Sequence, residues 1–120
     1  MTKTKKTIFI CDDNPGNLEV ISTILNENYK VKSISKFSQL KTALKKQIPN
    51  LIIIDHSFGS EKAPPIISEL RNTDSTQNLP IILTSAANRG KELAEGLEVT
   101  DFLPKPFDLN ALLSLIQKHI

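Results

Sequence analysis

Four apolar runs in this 120-residue sequence each end in residues able to do chemistry. Asp12-Asp13 follow Thr7-Ile8-Phe9-Ile10-Cys11, Asp55 follows Leu51-Ile52-Ile53-Ile54, Thr84-Ser85 follow Ile81-Ile82-Leu83, and Lys105 lies just beyond Phe102-Leu103. Taken singly, each is as readily a cap or a surface charge. Three carboxylates brought together repel, and ionise together only when a cation neutralises them. Oxygen donors with room for water suit Mg2+, which keeps several waters and usually takes one or two carboxylates plus a phosphate. A lysine adds a second positive charge and a hydroxyl adds a hydrogen-bond donor. Metal, lysine and hydroxyl together spread the charge of a phosphoryl group during in-line transfer. One carboxylate not consumed by the metal is then a nucleophile that forms an aspartyl-phosphate. No histidine base is needed, because a carboxylate is already ionised at neutral pH.

For these residues to meet, the apolar runs must be strands of one sheet. The runs are rich in β-branched residues and continuous rather than alternating, as strands covered on both faces are. Lys30 to Ser35 alternates instead, which predicts a strand nearer an edge. Between the runs the apolar period becomes helical. Leu18, Ile21, Ile24 and Leu25 share a stripe after Asn14-Pro15, with Asn14 as N-cap and Pro15 at the first helical position. Ser38 is expected to open a second helix with Leu40, Ala43 and Leu44 inward, and a third follows Pro64-Pro65 with Ile66, Ile67 and Leu70 inward. A fourth is expected near Lys91 to Leu97. The fifth has Asp108 as N-cap and Leu109, Leu112, Leu113 and Ile116 on its apolar stripe, with Phe107 and Leu112 placed for a hydrophobic staple. This β-α alternation predicts an α/β fold, a five-stranded parallel sheet with helices on both faces. All the polar strand ends then fall at one edge, where open α/β sheets bind their ligands.

The composition excludes several classes. The formal net charge is +2, from 15 basic and 13 acidic side chains, too small for a nucleic-acid footprint. One cysteine makes no disulfide framework within the chain and leaves a reducing cytoplasm as the default compartment. No apolar run approaches the roughly 20 residues of a membrane helix. With 39% hydrophobic residues the chain is not a disordered tail. The length predicts a single domain over residues 1–120, with no output domain attached after the fifth helix.

Cys11-Asp12-Asp13-Asn14, Leu51 to Asp55, Leu79-Pro80-Ile81-Ile82-Leu83-Thr84-Ser85-Ala86 and Lys105-Pro106-Phe107, in this order and at these separations, resemble the receiver domain of bacterial two-component response regulators. The resemblance spans essentially the whole chain and implies the flavodoxin-like (βα)5 fold with strand order 2-1-3-4-5. It implies that Asp55 is the phosphoacceptor and that Asp13 and Asp55 bind Mg2+ directly. Asp12 would act through a metal-bound water, and the Ser57 carbonyl would complete the protein ligands. Ser85, which precedes the alanine of the motif, matches the hydroxyl that reaches the phosphoryl group, and Lys105 matches the phosphate-binding lysine. The Lys105-Pro106 bond is expected to be cis and Phe102 to be the switch aromatic. Implied partners are a sensor histidine kinase or histidine phosphotransfer protein upstream, and a downstream protein target or output domain. They meet the face of the fourth helix, fifth strand and fifth helix, through which two copies could also pair. The domain would catalyse only its own phosphorylation and dephosphorylation.

The loop after Asp55 departs from the family pattern. Asp55-His56-Ser57-Phe58-Gly59 and Lys62-Ala63 stand where Asp-x-x-Met-Pro and Asp-Gly are usual. Gly59 frees a backbone that proline would fix, and Ala63 disfavours a positive φ. The alternative reading is therefore a degenerate receiver, an interaction module with no phosphate input. The intact Asp12, Asp13, Asp55, Ser85 and Lys105 oppose it. A flavin- or nucleotide-binding module on this fold needs a phosphate loop after the first strand, where Asp12-Asp13 would repel the phosphate. Cys11 reads as a small core residue, His56 as a solvated loop imidazole, and His119 as a last-turn group suited to the helix dipole.

Overall fold

The computed structural model describes residues 5–60, 62–86 and 98–120. In chain order the elements are β1 (Thr7–Cys11), α1 (Pro15–Leu25), β2 (Lys30–Ile34), α2 (Phe37–Lys46), β3 (Leu51–Asp55), α3 (Ala63–Arg71), β4 (Ile81–Ala86), β5 (Asp101–Lys105) and α4 (Leu109–His119). The helix expected near Lys91 to Leu97 lies outside the described residues. The five strands form one parallel sheet of order β2-β1-β3-β4-β5. No helix among the described residues is long and apolar enough to cross a membrane.

Side chains alternate across the sheet, so each central strand feeds two cores. Phe9, Cys11, Ile52, Ile54, Ile81 and Leu83 pack with Leu40 and Ala43 of α2 and with Ile66, Ile67 and Leu70 of α3. Ile8, Ile10, Leu51, Ile53 and Ile82 pack on the opposite face with Leu18, Ile21 and Leu25 of α1 and with Leu112 and Ile116 of α4. This two-sided burial is why β1 and β3 read as unbroken apolar runs. The alternating strand β2 lies at one edge, as its pattern predicts, and ends at Ile34 rather than Ser35.

Several boundaries differ from the sequence expectation for local reasons. α2 opens at Phe37, not Ser38, because Gln39 Oε1 reaches back to accept the amides of Ser35 and Lys36, at 3.0 and 3.2 Å. α3 begins at Ala63 and takes both prolines into its first turn, where their missing N–H groups have no helical partner to lose. The left-handed residue ahead of it is Lys62 (φ 66°), so Ala63 is spared that strain. Leu109, placed on the apolar stripe of the last helix, is its first residue and is 42% exposed. The caps hold as expected: Asn14 accepts from the Asn17 amide at 3.0 Å and Asp108 from the Ala111 amide at 2.7 Å.

Candidate functional site

The parallel sheet brings the C-terminal ends of β1, β3, β4 and β5 to one edge. Asp12 and Asp55 are both buried there, at 6% and 8% exposure. Lys105, from the end of β5, reaches between them, with Nζ 2.7 Å from Asp55 Oδ1 and 3.2 Å from Asp12 Oδ2. The Lys105–Pro106 bond beside it is cis. Asp12 is held in place by two further donors, the Asn14 amide at 2.9 Å on Oδ1 and Asn17 Nδ2 at 3.2 Å on Oδ2.

Asp55 is surrounded by donors. Its Oδ2 accepts from the Ser57 amide at 3.1 Å and the Ser57 hydroxyl at 2.8 Å, while Oδ1 accepts from the Thr84 hydroxyl at 3.3 Å as well as from Lys105. Burial alone would push the carboxyl upward. The hydrogen bonds of Lys105 and Ser57 and the lysine charge outweigh it and hold Asp55 below the usual carboxylate range. Burial likewise opposes the charge of Lys105, but its bonds to Asp55 and Asp12 raise it above the ordinary lysine value. The Asp55 carboxylate and the Lys105 ammonium thus hold each other in their charged forms. The Cys11 thiol next to Asp12 is pushed far up by burial and then by that carboxylate, which keeps it protonated and unreactive.

Asp13 stands apart from this bonded set. It is exposed, and its Oδ1 accepts the Gly59 amide at 2.9 Å, joining the loop after β1 to the loop after β3. Gly59 adopts φ 72°, a conformation proline cannot take, and it supplies an N–H that proline lacks. The β3–α3 loop is anchored by Phe58, which is fully buried and packs with the core on the α2 and α3 face. A cavity of about 480 Å³ opens beside Asp13 and Gly59 toward residues 35–38.

Ser85 is buried, the residue after Thr84, and pairs across to Pro104 in β5. Phe102 is half-buried and packs against the core on the α2 and α3 face. Sequence reasoning did not assign roles to Thr84 or Phe58. The cross-strand pairing of Asp55 with Thr84 is the signal that finds the first. The second stands at the position where the family pattern has methionine, an apolar residue aimed at the core.

Asp12, Asp13, Asp55 and the Ser57 carbonyl are hard oxygen donors. Among the described residues no three carboxylate, imidazole or thiolate side chains are gathered closely enough to cage a metal ion. Oxygen donors of this kind suit a cation such as Mg2+, which usually keeps several waters and takes one or two carboxylates.

The sequence profile described as the response regulator receiver domain matches residues 8–117. The chain is 26% identical over 117 residues to a probable cyclic di-GMP phosphodiesterase of Vibrio cholerae, an alignment covering 95% of this chain and 26% of that protein. It spans from about a quarter to half of the curated relatives it matches. The N-terminal signal receiver domain of a Bacteroides fragilis two-component response regulator superposes with TM-score 0.87 at 27% identity, covering 97% of each chain. The receiver domain of a Pseudomonas aeruginosa sensor histidine kinase, solved with magnesium in its active-site cleft, gives TM-score 0.86 at 24% identity over 97% of this chain and 98% of that one. With the fold, the strand-edge acids and the lysine already in place, the chain belongs to the response regulator receiver domain family of two-component signalling.

Proposed function

We propose that this receiver domain takes a phosphoryl group from a histidine kinase or a histidine phosphotransfer protein onto Asp55. The observation that carries this reading is the Lys105 ammonium, 2.7 Å from Asp55 and 3.2 Å from Asp12 at the ligand-binding edge of the sheet. Asp55 is ionised without a base and needs only a phosphorus atom in line with one carboxylate oxygen. As that oxygen forms its bond to phosphorus, the P–N bond to the donor imidazole breaks and the electron pair leaves with the nitrogen. Lys105 is then within reach of the new phosphoryl oxygens and exchanges part of its carboxylate contact for them.

Asp13 and Asp55 would hold Mg2+ directly, with Asp12 acting through water and the Ser57 carbonyl completing the set. When bound, Mg2+ supplies the positive charge that lets three carboxylates and a phosphoryl group share one edge. The magnesium-bearing relative lends this support. The Ser85 hydroxyl donates to a phosphoryl oxygen, and Phe102 moves inward as Ser85 is drawn toward the site. The added charge thereby biases a two-state equilibrium at the face of β5 and α4. That face meets a downstream protein or output domain, or a second copy of the chain, in a cytoplasmic setting. The domain acts as a regulator that catalyses only its own phosphorylation and dephosphorylation.

The test is intact mass after incubation with acetyl phosphate, with and without Mg2+, beside Asp55→Ala. The expected result is gain of one phosphoryl group that requires both Mg2+ and Asp55. Folded protein that gains none at any Mg2+ concentration would instead be an interaction module without phosphate input.

A further inference from the structure

Strand pairing sets Asp55 opposite Thr84 across β3 and β4, so both side chains emerge as neighbours on one face of the sheet. Thr84 is only 3% exposed, and its hydroxyl donates to Asp55 Oδ1 at 3.3 Å. The other donors are Lys105 on the same oxygen and the Ser57 amide and hydroxyl on Oδ2. Among the described residues these four donors hold both carboxylate oxygens. The donors differ in stiffness. Lys105 sits at the end of a four-carbon stem and is shared with Asp12, and both Ser57 donors belong to a turn. Thr84 alone comes from a buried strand position, on a β-branched side chain with restricted χ1.

We infer that Thr84 is a positioning residue for the nucleophile: its hydroxyl fixes the rotation of the Asp55 carboxylate, so that an incoming phosphoryl group meets it in one orientation. The role differs from that of Ser85, which acts on the phosphoryl group. The effect on rate rests on the phosphoacceptor reading, whereas the effect on carboxylate orientation does not. A carboxylate free to rotate spends part of its time misaligned, and misalignment at the reacting atom is costly.

Three variants of the whole chain separate the hydroxyl from its shape. Thr84→Val keeps the shape and removes the donor, Thr84→Ser keeps the donor, and Thr84→Ala matches serine in size without it. Two readouts are taken: the rate of phosphoryl uptake from acetyl phosphate with Mg2+, and the Ser57 amide NMR signal in Mg2+-free protein. The valine and alanine variants are expected to react roughly 3- to 10-fold more slowly, the net worth of one hydrogen bond, with serine within about twofold of the parent. Their Ser57 amide should shift or broaden, while that of Thr84→Ser stays parent-like. Val and Ala variants with parental rates and an unchanged Ser57 signal would overturn the inference. Equal slowing in Ser and Ala would overturn it too, because shape alone would then be at work. If the parent takes up no phosphoryl group, the phosphoacceptor reading fails by itself, and the Ser57 signal still decides the role of Thr84.

Discussion

The two ends of the parallel sheet use charge in opposite ways. At the N-terminal ends of the strands, charged and polar side chains are spent mostly on backbone groups, with Asp101 and His119 as a side-chain pair. Arg71 donates to the carbonyls of Thr76, Gln77, Leu79 and Glu98, and Asp101 accepts the Phe102 amide with one oxygen and meets His119 Nε2 with the other at 2.9 Å. Asn50 Oδ1 takes the Thr7 amide and Thr100 Oγ1 takes that of Ile81. At the C-terminal ends, Lys105, Asp12 and Asp55 face one another. An end tied to backbone is a fastening, because its bonds must stay made for the chain path to hold. At the C-terminal end both carboxylates also accept a backbone amide, and it is the Lys105 contacts that an incoming anion would exchange while the strands beneath stay fixed. Under the proposed function the same polar residue types thus serve structure at one edge and reactivity at the other.

The contrast is sharpest at Lys105. Lys105→Ala should slow phosphoryl uptake by about 100-fold or more, the scale on which removal of one preorganised charge at a reacting group is felt. Phosphorylation rates measured by intact mass check this, and a parental rate would break the assignment of the C-terminal edge to chemistry. Phe58→Ala should cost about 3–5 kcal/mol of stability, because a fully buried aromatic under the β3–α3 loop leaves a cavity. Urea unfolding measures that loss. Arg71→Ala should cost about 2 kcal/mol by leaving part-buried carbonyls without their donor, while the initial uptake rate of the folded fraction stays parental. A rate loss there would show that the two ends are coupled.

The smallest effect belongs to Asp101. Burial would raise its carboxyl, but the His119 hydrogen bond, the Phe102 amide and the Lys118 charge hold it below the ordinary carboxylate value. A carboxyl lowered on folding stabilises fully above its unfolded value near about pH 4, and that contribution disappears as pH falls through the lower folded value. Asp101→Asn should therefore reduce stability by about 1 kcal/mol or less at pH 7 and flatten its fall as the pH drops below about 4. Denaturant midpoints at several pH values decide it. An unchanged acid limb would remove Asp101 from the fastened end.

Much of this arrangement is legible in the sequence because residue type and period carry it. Two-sided burial makes β1 and β3 apolar throughout, and the parallel sheet then gathers Asp12, Asp55, Ser85 and Lys105 at one edge. Relations set by the chain path are not legible. The Gly59 amide bonds Asp13 only because a positive φ turns that N–H toward the β1–α1 loop, and nothing in a glycine's identity names its acceptor. Nothing in the sequence marks Arg71, whose partners are carbonyls that the turn at residues 72–80 folds around it. Thr84 and Ser85 are adjacent hydroxyls, and only the strand register shows which one opposes Asp55.

Chemical trapping decides whether Asp55 carries the phosphoryl group. Protein treated with acetyl phosphate and Mg2+ is reduced with borohydride, which converts an aspartyl-phosphate to homoserine, and its peptides are then weighed. Homoserine at position 55, and at no other aspartate, is the predicted result. Homoserine at Asp12 or Asp13, or unmodified peptides throughout, would contradict the account.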